Sequence, residues 1–300
     1  MGDMLKGRVA VITGAGNGLG RAHAIAFAAQ GASVVVNDLG TSADGYGASH
    51  NDADQVVEQI RKAGGKAAAN YASVTEEEGA KSIIQQAVDE FGRIDILVNN
   101  AGIIRHQDID SIITADWDLT IKTHLYGMMF CTRAATAYMK KQNYGRILCT
   151  SSHIGFGFPG QASYSTVKEG IVGFARTIAR EMAKYNTTCN VIRPIAVWRG
   201  PGPKVKNPIY KKNQPEDVAA LATFLVSEAA DPINGCIFEV LHGHVGIFVE
   251  PQPVAKEIDK DGSFTAEELA KLVPEKLTVG RSREEFPFTL PAIFKRLFQS

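Results

Sequence analysis

The sequence predicts an α/β fold, a doubly wound parallel sheet with helices on both faces. Three observations carry that expectation. Short β-branched runs alternate with stretches of helical periodicity along most of the chain. The runs are continuously apolar, as strands buried on both faces must be. A glycine-rich turn joins the first such run to the first helical stretch. With 300 residues, 45% hydrophobic and 21% charged, the chain has a globular composition and enough mass to bury a sizeable core. Lys+Arg and Asp+Glu are 32 each, and this zero formal charge argues against a strongly basic nucleic-acid binder or a polybasic membrane-surface protein. No apolar run approaches the ~20 residues of a membrane helix.

In chain order, VAVIT (9–13) reads as a strand and Arg21 to Gln30 as a helix stopped by Gly31. SVVVND (33–38) is the second strand. QVVEQIRKAGG (55–65) puts Val56, Val57 and Ile60 on one helical face and ends in a double-glycine cap. KAAANYASV follows as a strand, and Glu76 to Phe91 as a helix carrying Ile83, Ile84, Ala87, Val88 and Phe91. IDILVNN, RILCTSS, TCNVIRP and CIFEVLH add four strands with helices between them. Three stretches break this rhythm: a polar loop at 40–52, a Pro/Gly-rich basic segment at 199–214, and everything after Gly243. The expected division is therefore a dinucleotide-binding domain over 1–243, with 199–214 as a substrate lid, and a C-terminal extension over 244–300. Cys131, Cys149, Cys189 and Cys236 form no CxxC pair and read as buried thiols of a reducing compartment.

TGAGNGLG (13–20) lies between a strand and a helix, where glycines have a specific use. Gly14 allows the turn, Gly18 lets backbone N–H groups approach a pyrophosphate, and Gly20 lets the helix pack closely. Asn17 and Leu19 belong to the same cofactor-binding loop. The second strand ends at Asp38, where a carboxylate can hydrogen-bond both ribose hydroxyls of NAD and repel the 2′-phosphate of NADP. No Arg or Lys stands inside the glycine loop to offset that repulsion, so NAD is the expected cofactor.

Tyr164 and Lys168, four apart in QASYSTVKEGIVGFAR, fall on one face of one helix. A free tyrosine is a poor base at neutral pH. A neighbouring ammonium, together with a cationic nicotinamide ring, would stabilise its phenolate and let Tyr164 take a hydroxyl proton while hydride leaves the same carbon.

TGAGNGLG, NNAG (99–102), the TSS before Tyr164 and YSTVK, in this order over about residues 7–243, resemble the signature of the classical short-chain dehydrogenase/reductase family. The resemblance implies a seven-stranded Rossmann-type sheet and a Ser-Tyr-Lys catalytic group completed by a polar residue on the fifth helix. It also implies that Asn99, Ala101 and Gly102 line the adenosine and ribose side of the cofactor. VVVNDLG with its long loop, IRKAGGKAAANY, FGRIDILVNNAGI, MKKQNYGRI and GQASYS are similar to the dehydrogenase part of peroxisomal type-2 multifunctional enzymes. That group oxidises (3R)-3-hydroxyacyl-CoA with NAD, shares the extended C-terminus and commonly pairs as dimers. Counting forward from RIL gives Ser152 as the serine that contacts substrate, and counting back from Tyr164 gives Ser151; Ser152 is preferred because HIGFGFPG looks one residue short. His124 stands where the family carries Asn, and reads either as a hydrogen-bonding or relay group or as a satisfied structural histidine. Ala72 replaces a family Asp and leaves Ser73 to fill that role before Val74. Pro194-Ile195 replaces the family's Pro-Gly, with Pro194 kept as a cofactor contact.

On the substrate side, Arg199, Lys204, Lys206, Lys211 and Lys212 give the lid an excess of positive charge that could meet CoA phosphates; a solvated loop is the equal alternative. Phe156, Phe158 and Trp198 could form an apolar wall for an acyl chain or steroid ring, and core packing explains them nearly as well. EIDKDGSFTAEEL (257–269) resembles part of a calcium loop, but Glu257 is a poor first ligand and Thr265 with Glu268 makes an equally good capping box. No metal is expected. In PAIFKRLFQS, Ile293, Phe294, Leu297 and Phe298 line one helical side, so the extension is expected to pack on the core or a partner subunit. The expected function is an NAD-dependent (3R)-3-hydroxyacyl-CoA dehydrogenase. The alternatives are a 17β-hydroxysteroid or other bulky secondary-alcohol dehydrogenase, and a non-catalytic NAD-binding protein. The partners expected are a small-molecule substrate, an acyl-CoA, and further copies of the chain in a homodimer or homotetramer, with no nucleic acid or membrane. The absence of a signal-like opening and of a terminal SKL makes the expected location cytoplasmic.

Overall fold

The computed structural model describes residues 2–197, 212–249 and 256–279. It divides into two compact units, one ending at Phe248 and the other beginning at Val249. The first unit contains β1 (Val9–Thr13), α1 (Gly18–Ala29), β2 (Ser33–Asn37), α2 (Asn51–Lys62), β3 (Lys66–Asn70), α3 (Glu77–Phe91) and β4 (Ile96–Asn99). It continues with α4 (Thr114–Ile121), one turn of π-helix (Lys122–Tyr126), α5 (Gly127–Gln142), β5 (Gly145–Thr150), α6 (Ala162–Met182) and β6 (Thr187–Pro194). α7 (Pro215–Leu225), β7 (Ile237–Leu241) and β8 (His244–Phe248) complete it.

All strands join one sheet in the order β3-β2-β1-β4-β5-β6-β7-β8. β1 to β7 are parallel, and their apolar runs are buried from both sides: all five residues of β1 and all six of β5 are buried. α1, α2 and α7 cover one face through Phe27, Ile60 and Leu225, and α3, α5 and α6 cover the other through Ile83, Met139 and Ile171. The expected sheet of seven strands is corrected to eight. β8 runs antiparallel to β7, with Leu241 opposite His244 across a two-residue turn in which Gly243 takes φ +68°. The sheet therefore runs past Gly243, and His244–Phe248 belong with it. HVGIF escapes a search for fully buried strands because only one face is covered: Val245 and Ile247 are 55% and 59% exposed.

The strand order reverses between β1 and β4, which opens a crevice at the carboxyl ends of these strands. The loop leaving β2 spans that end of the sheet. Ile104 N–H donates to the Ala43 carbonyl (3.3 Å) and Arg105 Nε to the Asp44 carbonyl (2.9 Å). The Arg105 guanidinium lies 4.6 Å from the Tyr46 ring centroid and pairs with Asp116 on α4. Since β1 lies between β2 and β4, this loop bridges the crevice.

In the second unit, Thr265 and Glu268 form the expected capping box at the start of a short helix, α8 (Ala266–Leu272). Among the described residues no group of three or more His, Cys, Asp or Glu is arranged to hold a metal ion, and no helix is long and apolar enough to cross a membrane. Trp198, Arg199, Lys204, Lys206 and Lys211 of the expected lid, and the expected terminal helix with Ile293, Phe294, Leu297 and Phe298, lie outside the described residues.

Candidate active site

The glycine loop folds as its sequence demands. Gly14 and Gly18 take φ +63° and +52°. A Cβ on Gly20 would sit 2.1 Å from the Gly14 carbonyl oxygen, so the helix can approach the loop this closely only with glycine there. Asn17 is the extended N-cap of α1, yet its side chain caps nothing and reaches instead to Asp52 on α2. The N–H groups of the first turn of α1 therefore stay available for an anion, and the first turn holds no acidic residue to repel one. Leu19 turns back onto the core. This cradle fits a dinucleotide pyrophosphate.

Asp38 follows β2 and faces the same loop. Its Oδ2 accepts from Gly16 N–H (2.7 Å) and its Oδ1 from Gly40 N–H (2.7 Å), which fixes the carboxylate and leaves lone pairs for ribose hydroxyls. Asp52 lies beside it: a Cβ on Gly16 would be 2.8 Å from Asp52 Cβ and 2.9 Å from Asp38 Oδ2. Asp52 is a second carboxylate at this end that sequence reasoning missed. Its position depends on where the long 40–52 loop returns, and no local pattern reveals that.

NNAG closes the crevice from the β4 side. Asn99 donates from Nδ2 to Thr132 Oγ1 (3.0 Å), and Ala101 lines a buried cavity of about 10 Å³ with Thr13, Val74, Asn99, His124 and Thr150. Thr13 and Asn100 were also missed. Thr13 Oγ1 accepts from the N–H groups of Asn100 and Ala101 (both 3.1 Å), and Asn100 Nδ2 donates to the carbonyls of Thr13 and Gly14 (both 3.0 Å). The two crossover segments are thereby stitched together. The Asn doublet at a strand end was the available signal, because a buried amide side chain requires partners. Ser73 Oγ lies 2.8 Å from Thr75 Oγ1 and accepts from Thr75 N–H, while Val74 is buried against Gly127. Pro194 ends β6, paired in register with Val240.

Ser152, Tyr164, Lys168 and His124 converge beyond β5. Tyr164 and Lys168 are 9% and 3% exposed, and the ammonium lies 5.2 Å from the Tyr164 ring centroid. The Ser152 hydroxyl, which accepts from Ile154 N–H (3.2 Å), lies near enough to the Tyr164 phenol to favour its phenolate. Ser151, by contrast, donates its hydroxyl to the Lys168 carbonyl (2.8 Å) and so ties β5 to α6. Burial pushes the Lys168 ammonium down to about 7, and Nζ donates to the Thr150 carbonyl (2.8 Å). Burial raises the Tyr164 phenol above its ordinary value, opposed by the Ser152 hydrogen bond. The expected lowering of that phenol by Lys168 together with a cationic nicotinamide ring concerns the cofactor-bound site; in the chain alone burial dominates.

His124 sits in the π-helical turn, a distortion that aims its ring inward. Nε2 lies 3.1 Å from the Ile103 amide nitrogen and 2.9 Å from its carbonyl oxygen, and the ring meets Tyr164 edge-on at 5.5 Å between centroids. Burial, then the Lys168 charge, pushes its pKa down to about 3, so the imidazole is neutral at physiological pH. A Cβ on Gly102 would come 2.4 Å from His124 Cε1; glycine there makes room for the ring. Phe156 packs on Phe248, with ring centroids 5.6 Å apart, and Phe158 is 36% exposed.

The pattern that defines the family described as "short chain dehydrogenase" matches residues 8–199. The chain belongs to this family. Short-chain dehydrogenases use NAD or NADP. Over 241 residues the chain is 48% identical to peroxisomal multifunctional enzyme type 2 of Mus musculus, covering 80% of this chain and 32% of that one. It is 38% identical over 250 residues to a 3-oxoacyl-[acyl-carrier-protein] reductase of Synechocystis, covering 80% of this chain and 98% of that one. The crystal structure of a short chain dehydrogenase from Mycobacterium avium is similar with a TM-score of 0.82 and 39% identity, over 93% of this chain and 97% of that one. The chain spans about a third of the length of the multifunctional relative.

Proposed function

We propose that the chain is an NAD-dependent dehydrogenase that interconverts (3R)-3-hydroxyacyl-CoA and 3-oxoacyl-CoA. The observation that carries this reading is the convergence of Ser152, Tyr164 and Lys168 at the end of the crevice that the glycine loop lines. The relatives support the substrate class: one is named a multifunctional enzyme, others a hydratase-dehydrogenase-epimerase and a 3-oxoacyl-[acyl-carrier-protein] reductase.

The cofactor, held by Gly14, Asn17, Gly18, Leu19, Gly20, Asp38, Ser73, Val74, Asn99, Ala101, Gly102, Pro194, Tyr164 and Lys168, would accept the hydride of the alcohol carbon. Asp38 and the lack of a basic residue in the glycine loop favour NAD over NADP. Ser152 donates a hydrogen bond to the substrate oxygen and Tyr164 Oη takes its proton. Lys168, when charged, stabilises the Tyr164 phenolate that accepts this proton. His124, neutral and holding a single ring proton, buttresses the Tyr164 ring from its edge and anchors Ile103. In the reductive direction the same proton returns from Tyr164.

The test is NADH formation from a (3R)-3-hydroxyacyl-CoA, compared with NADP, with the (3S) isomer and with a 17β-hydroxysteroid. Tyr164→Phe should lower the rate by about 10²- to 10⁴-fold, the usual worth of a positioned acid-base group. Turnover that survives this change would overturn the mechanism, and a steroid preferred over every acyl-CoA would overturn the substrate. A homodimer or homotetramer and a cytoplasmic location complete the reading, although several relatives carry "peroxisomal" in their names. Light scattering and fractionation test both.

A further inference from the structure

Behind Ser152 lies a charged residue that the proposed reaction does not use. Cys189, Val191 and Arg193 alternate along β6 toward α6, and the first two enter the core there. Arg193 follows them at the strand end nearest the catalytic group, with no exposed surface. Its Nη1 donates to the Ser152 carbonyl (2.9 Å) and pairs with Glu169 Oε1 (2.8 Å), the residue directly after Lys168. Its guanidinium lies 4.1 Å from the Phe156 ring centroid and 5.3 Å from that of Phe248. A Cβ on Gly155 would sit 2.5 Å from Glu169 Oε1 and 3.3 Å from Arg193 Nη1, so the 152–156 turn is shaped around this pair. The next residue, His153, is anchored as well, with Nε2 2.9 Å from Glu239 Oε2.

Burying a guanidinium costs several kcal/mol unless hydrogen bonds and a partner charge offset it. Here the offset goes to one end of the turn that carries Ser152. We propose that Arg193 is a positioning residue for the reaction: by holding the Ser152 carbonyl and Glu169 Oε1 together at its Nη1, it keeps the Ser152 hydroxyl facing Tyr164. A lysine ammonium restores the charge but not the planar group that lies against Phe156 and Phe248.

The inference rests on the function proposed above, and a double-mutant cycle separates the two. The wild-type rate with a (3R)-3-hydroxyacyl-CoA tests the function; the ratios between variants on one substrate test Arg193 alone. Arg193→Met should lower kcat roughly 10- to 100-fold while the KM for cofactor and the affinity for NAD stay within about twofold. Arg193→Lys should recover part of that loss. In a Ser152→Ala background, Arg193→Met should cost less than about twofold, because the group it positions is gone. A loss that is equally large in that background, or an Arg193→Met enzyme within about twofold of wild type, overturns the proposal. If Arg193→Met does not fold, the same cycle runs with Glu169→Gln, whose side chain is 43% exposed. Its several-fold loss should likewise vanish without Ser152, and persistence of the loss overturns the proposal.

Discussion

Lys168 makes the stability of the fold depend on pH in a direction that can be measured. Burial pushes its ammonium from 10.5 down to about 7. Because the folded value is the lower one, the unfolded chain binds more protons throughout the window between the two. Stability therefore rises with pH across that window, by up to about 1.4 kcal/mol per pH unit, and levels off above it. Below the folded value both states carry the proton, and the cost of burying it is fully present. Integrated from about pH 7.5 to about pH 9.5, the gain is about 2.4 kcal/mol. Lys168→Met removes the titration and keeps most of the side-chain volume. Urea unfolding of both proteins at both pH values isolates the effect, since every other group titrates in each of them. The wild type should gain about 2 kcal/mol over the variant at the higher pH. Equal pH slopes would falsify the claim that this ammonium is desolvated.

Three further changes test other parts of the site. Gly102→Ala drives a Cβ to 2.4 Å from the His124 ring, and should destabilise the fold by about 1–3 kcal/mol in chemical denaturation and lower kcat as the ring shifts against Tyr164. Ser152→Ala should reduce kcat at least about tenfold and cost about 1 kcal/mol for the lost bond from Ile154 N–H. Ser151→Ala should cost about as much for the lost hydrogen bond to the Lys168 carbonyl and leave turnover nearly intact. Asp38→Ala should narrow the preference for NAD over NADP by about tenfold or more, equivalent to about 1.4 kcal/mol, and Asp52→Asn by a smaller factor. Fluorescence titration with both cofactors reads the two ratios, and an unchanged ratio for Asp38→Ala removes it as the discriminating carboxylate.

What the sequence disclosed was whatever depends on local spacing. The largely buried strands β1 to β7, the turn at Gly14 and Gly18, and the helical pairing of Tyr164 with Lys168 all follow from neighbours in the chain. Ser152 and Ser151 could be separated only by their partners, Tyr164 and the Lys168 carbonyl, which different elements supply. Asn100, Thr13, Asp52 and Arg193 have no periodic signature, because each is defined by what another segment brings to it. The burial of Lys168 was hidden for the same reason: chain order shows that a lysine is near Tyr164, but not that it is desolvated. β8 was hidden by its one open face.

The loop between β2 and α2 closes over the crevice. Its tip is held at the far side of the crevice by the Ala43 and Asp44 carbonyls, the Tyr46 ring and the pairing of Arg105 with Asp116. A dinucleotide lying along that crevice would be threaded beneath the chain's own backbone, and could leave only after those contacts let go. Ser152, Tyr164 and Lys168, beyond β5, lie outside that span. Exchange at one end would then wait on a latch, while traffic at the other would not. In each turnover the nucleotide end would then be gated by the chain's own backbone and the substrate end would not.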